Sequence, residues 1–313
     1  MNMHKLCLIV PTKDRPFELE RLLKSMEGQD ILPDQVIVVD GGNPGIKWLT
    51  DKFPRLAIDY LQVLPPGLTR QYNAGIRAVR EDIDLVGMLD DDIILEKGCL
   101  SSMMNFWEKS ADRLGGAGFN IVNAMVPKKR WWTSFISLTT EGNKRRGALL
   151  KSGRNVSYCP ATFDLETEWL CSGATVWKKK IFNEYQFDEW FAGYGIVDDI
   201  DFSYRVSKNY KLAVVANARV QHLETGDKDY FFWAYVVTMN HIYLSFKHRE
   251  FSQSLCALSF LNDGIKLLTY GILSRNKSSL YQGAGYIWAV LRRIFLGIHR
   301  VEKQVKPSKD SKR

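Results

Sequence analysis

Four apolar runs set off by segments of helical spacing constrain this chain more than any other feature. They are KLCLIVPT (5–12), QVIVVDGG (35–42), IDYLQVL (58–64) and DLVGMLDDDI (84–93). Near-continuous apolar runs of this length are the pattern of strands buried on both faces. Between the first two, PFELERLLKSMEGQ (16–29) puts Phe17, Leu19, Leu22, Leu23 and Met26 on one helical face. Asp14 is its expected N-cap, and Pro16 suits its first turn. Further helices are expected from Thr69 to Val79 and from Gly98 to Ser110, then a strand over 116–122. Strand–helix–strand units this short are right-handed βαβ units, so the fold class is α/β with a mainly parallel sheet. Ligands in such sheets bind beyond the carboxyl ends of the strands. The polar residues there are Thr12, Asp14, Arg15, Asp40, Asp90, Asp91 and Asp92.

The alternation breaks over 127–160, a basic and polar excursion that holds Trp131 and Trp132 and has β-hairpin character. Order resumes at TEWLCSGATVWKKKIF (167–182), followed by a helix around 199–208 and strand character over 211–223. Residues 229–300 read as three helices rich in Trp, Tyr and Phe and edged by Lys and Arg. Charge separates the two parts. Residues 1–225 hold 29 basic and 29 acidic residues, whereas 226–313 hold 14 and 6 and so carry the whole net charge of +8. A nucleic-acid binder would be basic throughout; a neutral body with a basic aromatic end suits an anionic surface. The organisation expected is a catalytic-type domain over 1–225, a helical region over 226–305 and a disordered basic tail over 306–313. The longest uncharged stretch, Tyr230 to Phe246, is short and polar for a spanning helix, so interfacial attachment is expected. Core packing and a homodimer remain the other uses for that apolar surface. Five scattered cysteines without a CxxC, and no signal peptide at the N-terminus, point to the cytoplasm and the inner membrane face.

Asp90, Asp91 and Asp92 are costly side by side unless a cation or solvent relieves them. In a strand, alternate side chains share a face, so Asp90 and Asp92 are expected to project together. Two oxygen ligands with room for water and phosphate suit Mg²⁺ or Mn²⁺; the bland alternative is a solvated acidic turn. Arg70 and Asn73 lie three apart on one helix and can face one ligand or merely solvent. VDDIDFSYR (197–205) sets Asp198, Asp199 and Asp201 at a helix start, where the dipole favours ionised carboxylates. Asp201 and Arg205, four apart, have the spacing of an ion pair.

Taken in order, these segments resemble the family 2 glycosyltransferases, which have the GT-A fold. The carriers are Pro11-Thr12-Lys13-Asp14-Arg15, Asp40-Gly41-Gly42, PGLTRQYNAGI (66–76) and Asp90-Asp91-Asp92. They continue with Cys171-Ser172-Gly173, Phe187-Asp188-Glu189, VDDIDFSYR and His222. The chain is most similar to bacterial enzymes that build surface polysaccharide. The resemblance implies metal ligation by Asp92, Asp90 and His222, and Asp91 turned toward ribose or sugar. It also implies a nucleotide-sugar pocket of Pro11, Thr12, Asp14, Arg15, Asp40, Arg70, Asn73, Asp90 and Asp91. Asp40 resembles the carboxylate that takes the N3–H of uracil or thymine, which favours UDP or dTDP. Asp199 matches the family's base, with Asp198 standing where Glu is usual and Asp201 nearby. Trp169, Gly173, Trp190 and Phe191, with Ser172 and Tyr194, are candidates for an acceptor site, and core packing is the alternative for the aromatics. The implied activity is inverting, metal-dependent transfer of one sugar to a glycan or lipid-linked glycan, and a noncatalytic sugar-nucleotide or glycan-binding subunit of a polysaccharide assembly complex is the competing function. No QxxRW, which accompanies processive synthases, occurs.

Overall fold

A computed structural model of the chain describes residues 4–124, 145–193, 195–223 and 229–298. The chain divides into two compact units. The first takes in Met1–Val126, Tyr158–Glu189 and Asp198–Thr225; the second takes in Pro127–Ser157, Trp190–Val197 and Gly226–Arg313.

The first unit is built on a nine-stranded sheet. Its strands are β1 (Leu6–Thr12), β2 (Gln35–Asp40), β3 (Ile58–Gln62), β4 (Leu85–Leu89) and β5 (Ile93–Leu95). They continue with β6 (Leu114–Ile121), β7 (Leu165–Thr167), β8 (Ala174–Lys178) and β9 (Lys211–His222). The order is β3-β2-β1-β4-β8-β6-β9-β5, with β7 also on β9. β1, β2, β3 and β4 run parallel, β8 is reversed, and β6 and β9 run with the first group. Every residue of β1, β2, β4 and β6 is buried, as expected of strands covered on both faces. Among the described residues, six helices accompany the sheet: α1 (Pro16–Glu27), α2 (Lys47–Thr50), α3 (Leu68–Arg77), α4 (Cys99–Lys109), α5 (Ile181–Glu184) and α6 (Asp198–Ser207). α1 buries Leu19, Leu22, Leu23 and Met26, while Phe17 is left exposed. α3 lies so close to β1 that a Cβ on Gly75 would come within 2.5 Å of Ile9. Parallel strands bring Thr12, Asp40, Leu89 and His222 to one edge of the sheet, and the reversed β8 starts there.

Two local expectations are corrected. Arg15, not Asp14, holds the N-cap position of α1, and no side chain caps it. Asp14 instead takes a left-handed conformation, φ 56°, which short polar side chains tolerate best. The fourth apolar run is also not one strand: β4 stops at Leu89 and β5 begins at Ile93, with the three aspartates in the turn between.

The second unit is helical: α7 (Tyr230–Lys247), α8 (Gln253–Ser274) and α9 (Lys277–Leu296). Asp229, Ser252 and Asn276 cap them by accepting from the backbone N–H groups of Phe232, Leu255 and Ser279. Ala234, Met239, Cys256, Phe260 and Ala289 form the centre of its core. Residues 149 and 155 pair as an isolated β-bridge, and Arg154 forms an ion pair with Asp263 while lying over the Phe260 ring. Trp131, Trp132, Tyr194 and the tail 306–313 lie outside the described residues. No described helix is long and apolar enough to cross a membrane.

Candidate active site

A turn, rather than strand alternation, gathers the acidic triplet: the Ile93 N–H donates to the Asp90 carbonyl at 3.1 Å. β5 then pairs with β9 so that Ile93 faces His222, and the Leu223 N–H donates to the Asp92 carbonyl at 3.0 Å. Asn123 holds His222 by both main-chain groups, at 2.9 Å each. One ligand atom from each of Asp90, Asp92 and His222 falls within 4.8 Å of the others. His222 Nε2 lies 3.1 Å from Asp92 Oδ1, a buried oxygen that no donor meets in hydrogen-bond geometry. Two carboxylates, one of them with a buried oxygen left without a hydrogen-bond donor, and an imidazole are a donor set that fits Mn²⁺ or Mg²⁺.

Gly173 makes this cluster possible. A Cβ there would overlap the Asp90 carboxylate, and the Gly173 carbonyl accepts from the Asp90 N–H at 2.9 Å. On the other side, the Tyr72 hydroxyl donates to Asp90 Oδ1 at 3.1 Å. Tyr72 packs on Phe187 with ring centroids 5.0 Å apart, and Phe187 stacks on Phe202 of α6 at 4.3 Å. This aromatic series ties α3 to α6, the helix that begins with Asp198 and Asp199. Tyr72 carried no sign of the role in the sequence beyond its place in the PGLTRQYNAGI segment.

Arg15 bridges two of the aspartates: Nη1 is 2.6 Å from Asp91 Oδ1 and Nη2 is 2.9 Å from Asp92 Oδ2. The Thr12 hydroxyl donates to Asp91 Oδ2 at 2.8 Å. Asp91 is therefore held inside the protein, not turned outward. Burial pushes its carboxyl up to about 8, against the pull of Arg15 and Thr12. Burial, then the charge of Asp92, pushes Asp90 up to about 6. Burial acts on Asp92 in the same direction, but His222 and Arg15 outweigh it and leave that carboxyl below its usual range.

Asp198 and Asp199 differ in their surroundings. Asp198 is buried, and burial followed by the charge of Asp199 raises it well above the ordinary range. Asp199 is half-buried, its Oδ1 accepts the Ile200 N–H at 2.8 Å, and burial pushes it up to about 7 with Asp90 adding to the rise. Both carboxyls are thus raised by burial, and Asp199 is the more open of the two. Asp201 is fully buried and salt-bridged to Arg205 at 3.0 Å, which removes it from the reacting groups.

Several pocket residues take different roles from those expected. Asp40 is 0 % exposed; its oxygens accept from the Gly42 N–H, the Ile46 N–H and the Tyr60 hydroxyl at 2.6, 2.9 and 2.6 Å. It fastens the turn after β2 and offers no open face to the N3–H of a pyrimidine. Asn73 spends both ends of its amide on the main chain of Phe187, at 2.9 and 3.0 Å, and so builds that loop rather than reaching a nucleotide. Arg70 donates to the Pro65 carbonyl and lies 3.5 Å from Glu189. Asp14 borders Gly42, and Pro11 is buried in β1 opposite Val39. Of the acceptor candidates, Phe191 is 0 % exposed and belongs to the second unit's interior. Trp190, in the same unit, stacks on Tyr243 at 3.6 Å. Trp169, nearly buried in the first unit, packs on Tyr158 at 4.7 Å.

Residues 7–164 match the profile of the family described as Glycosyl transferase family 2. The chain belongs to that family. It is a glycosyltransferase, and its fold is GT-A. Solved structures agree on the fold. The S. aureus TarS fragment 1-349 aligns at TM-score 0.53 and 16% identity, over 94% of this chain and 83% of that one. The mannosyltransferase PcManGT of Pyrobaculum calidifontis, solved with GDP-Man and Mn²⁺, aligns at 0.54 and 13%, over 94% and 88%. GalNAc-T7, solved with UDP, GalNAc and Mn²⁺, aligns at 0.59 and 13%, over 97% and 60%. No curated protein sequence matches the chain.

Proposed function

We propose that the first unit transfers a single sugar from a nucleoside-diphosphate sugar to a hydroxyl of a glycan or lipid-linked glycan, with inversion. The observation that carries this reading is the cluster of Asp90, Asp92 and His222 within 4.8 Å, in the same unit as the ionisable Asp199 at the start of α6. A divalent cation held by the cluster would act as a Lewis acid toward the diphosphate leaving group. Arg15 and Thr12 fix the carboxylates that set the cluster's shape. Asp199 accepts the proton of the acceptor hydroxyl as its oxygen bonds to the anomeric carbon. The bond from that carbon to the phosphate oxygen breaks, and the nucleoside diphosphate leaves with the electron pair. Displacement from the opposite side inverts the anomeric centre.

Because Asp40 is taken up by the turn, the base is the first thing to measure. Thermal shift with UDP, dTDP, GDP and CMP, each with Mn²⁺ and with EDTA, reads it directly. A ligand at 100 times its Kd adds about 2.7 kcal/mol, a shift of several degrees. One nucleoside diphosphate is expected to stabilise the protein in Mn²⁺ and not in EDTA. Folded protein that responds to none of them would remove the transferase reading of this site.

Gly173→Ala is a sharper check on the cluster. The new methyl displaces the Asp90 carboxylate, so Mn²⁺ affinity is expected to fall by roughly 10–100-fold, the range for residues that orient ligands. Unchanged Mn²⁺ binding in a titration would show that Asp90 is no ligand.

A further inference from the structure

The second unit holds an apolar face that its own core does not use. On α8, Leu258, Ile265 and Ile272 recur every seven residues and are exposed, Ile272 to 68 %. On α9, Tyr281, Trp288 and Phe295 do the same, Phe295 to 79 %. Seven residues are almost two full turns, so each set forms one stripe. The helices pack together through Gly264 and Gly271 of α8 against Gly283, Leu280 and Ile287 of α9, a near-backbone approach. On each helix those contacts lie about a third of a turn from its stripe, by the 100° step of an α-helix. For antiparallel neighbours the two offsets turn the stripes to one common side.

Charge identifies the occupant. Residues 253–296 hold five basic residues and one acid, Asp263, and that acid is ion-paired to Arg154. Arg275 and Lys277 flank the exposed tip between the helices, beside Ile272. A protein partner or second copy would be expected to meet apolar stripes with a neutral or mixed rim. Aromatic and aliphatic stripes with the exposed bases Arg275 and Lys277 at their tip match the interface of an anionic bilayer, where aromatic rings sit at headgroup depth and bases contact phosphate. No described helix can span, so the helices would lie in the surface.

We propose that the exposed face of the α8–α9 hairpin docks this protein on anionic lipid. It does so by inserting the two stripes while Arg275 and Lys277 engage lipid phosphates. The proposal stands independently of the chemistry of the first unit. Co-sedimentation of the full chain with phosphatidylcholine vesicles, with and without 30 mol% phosphatidylglycerol, tests it, alongside light scattering without lipid. Binding is expected only with phosphatidylglycerol and to weaken in high salt. Ile265→Ser with Ile272→Ser is expected to weaken it at least ~10-fold, and Arg275→Gln with Lys277→Gln by roughly tenfold or more. All these residues are exposed or at the hairpin tip, so melting temperature and nucleotide binding should not move. Equal binding by the Ile265/Ile272 variant, or no binding by the wild-type chain, would overturn the proposal. So would a wild-type dimer that the Ile265/Ile272 variant dissolves, since the face would then be a contact between copies. Retention by phosphatidylcholine alone would refute the charge half and with it the choice of anionic lipid.

Discussion

Asp199→Asn is expected to lower the transfer rate by roughly 10²–10⁴-fold, the usual contribution of a general base, while nucleotide binding in Mn²⁺ stays within about twofold. The substitution keeps the shape of the side chain and its contact with the Ile200 N–H at 2.8 Å, so α6 should start as before. What it removes is the site that takes the acceptor proton. The pH profile supplies an independent reading. A base works only when deprotonated, and the Asp199 carboxyl is pushed up to about 7 by burial, with Asp90 adding to it. Transfer by the wild-type chain should therefore rise with pH through the region near 7 and level off above it. A cation bound at Asp90 offsets part of that carboxylate's repulsion and moves the rise lower. Near-full transfer by Asp199→Asn, measured with saturating donor, would take Asp199 out of the role. A wild-type rate flat from pH 5.5 to 8 would do the same.

The sheet was legible in the sequence because strands buried on both faces leave unbroken apolar runs, which β1, β2 and β4 show. The residues that the resemblance named as metal ligands do lie together, but for a reason no local pattern contains. Asp90 and Asp92 are turned by a bend after β4, and His222 arrives through pairing of β5 with β9, 129 positions from Ile93. Misreadings share that origin. Asp40 reads as an open carboxylate until Tyr60, on the neighbouring strand, is seen to donate to it. Asn73 reads as a helix-face ligand until Phe187, 114 residues later, takes its amide. Phe191 reads equally well as a sugar platform or as core, and only burial separates the two. Gly173 reads as part of an acceptor site, whereas the space beside it belongs to Asp90. Sequence spacing reports what a residue's own helix or strand does with it, and these roles were set by partners from other elements.

Asp92→Ala is expected to abolish the Mn²⁺-dependent part of nucleotide stabilisation and to cut transfer by roughly 10³-fold. That figure corresponds to several kcal/mol of leaving-group stabilisation at 1.36 kcal/mol per tenfold. Asp92 is the hub of the cluster: one oxygen lies 2.9 Å from Arg15 and the other 3.1 Å from His222. Its loss removes a ligand and also one of the two carboxylates that orient the Arg15 guanidinium. His222→Ala removes one ligand and leaves Arg15 paired with both Asp91 and Asp92, so its loss of Mn²⁺ affinity should be smaller. The Mn²⁺ dependence of the nucleotide response is what distinguishes a shared cation site from a plain ion-pair network. In a plain network, Mn²⁺ would not stabilise the wild-type chain with nucleotide, and both variants would show the same nucleotide response with Mn²⁺ as with EDTA. Cooperative melting of Asp92→Ala in EDTA separates loss of the site from loss of the fold. A Mn²⁺-dependent shift that survives in this variant would place the cation away from the turn between β4 and β5.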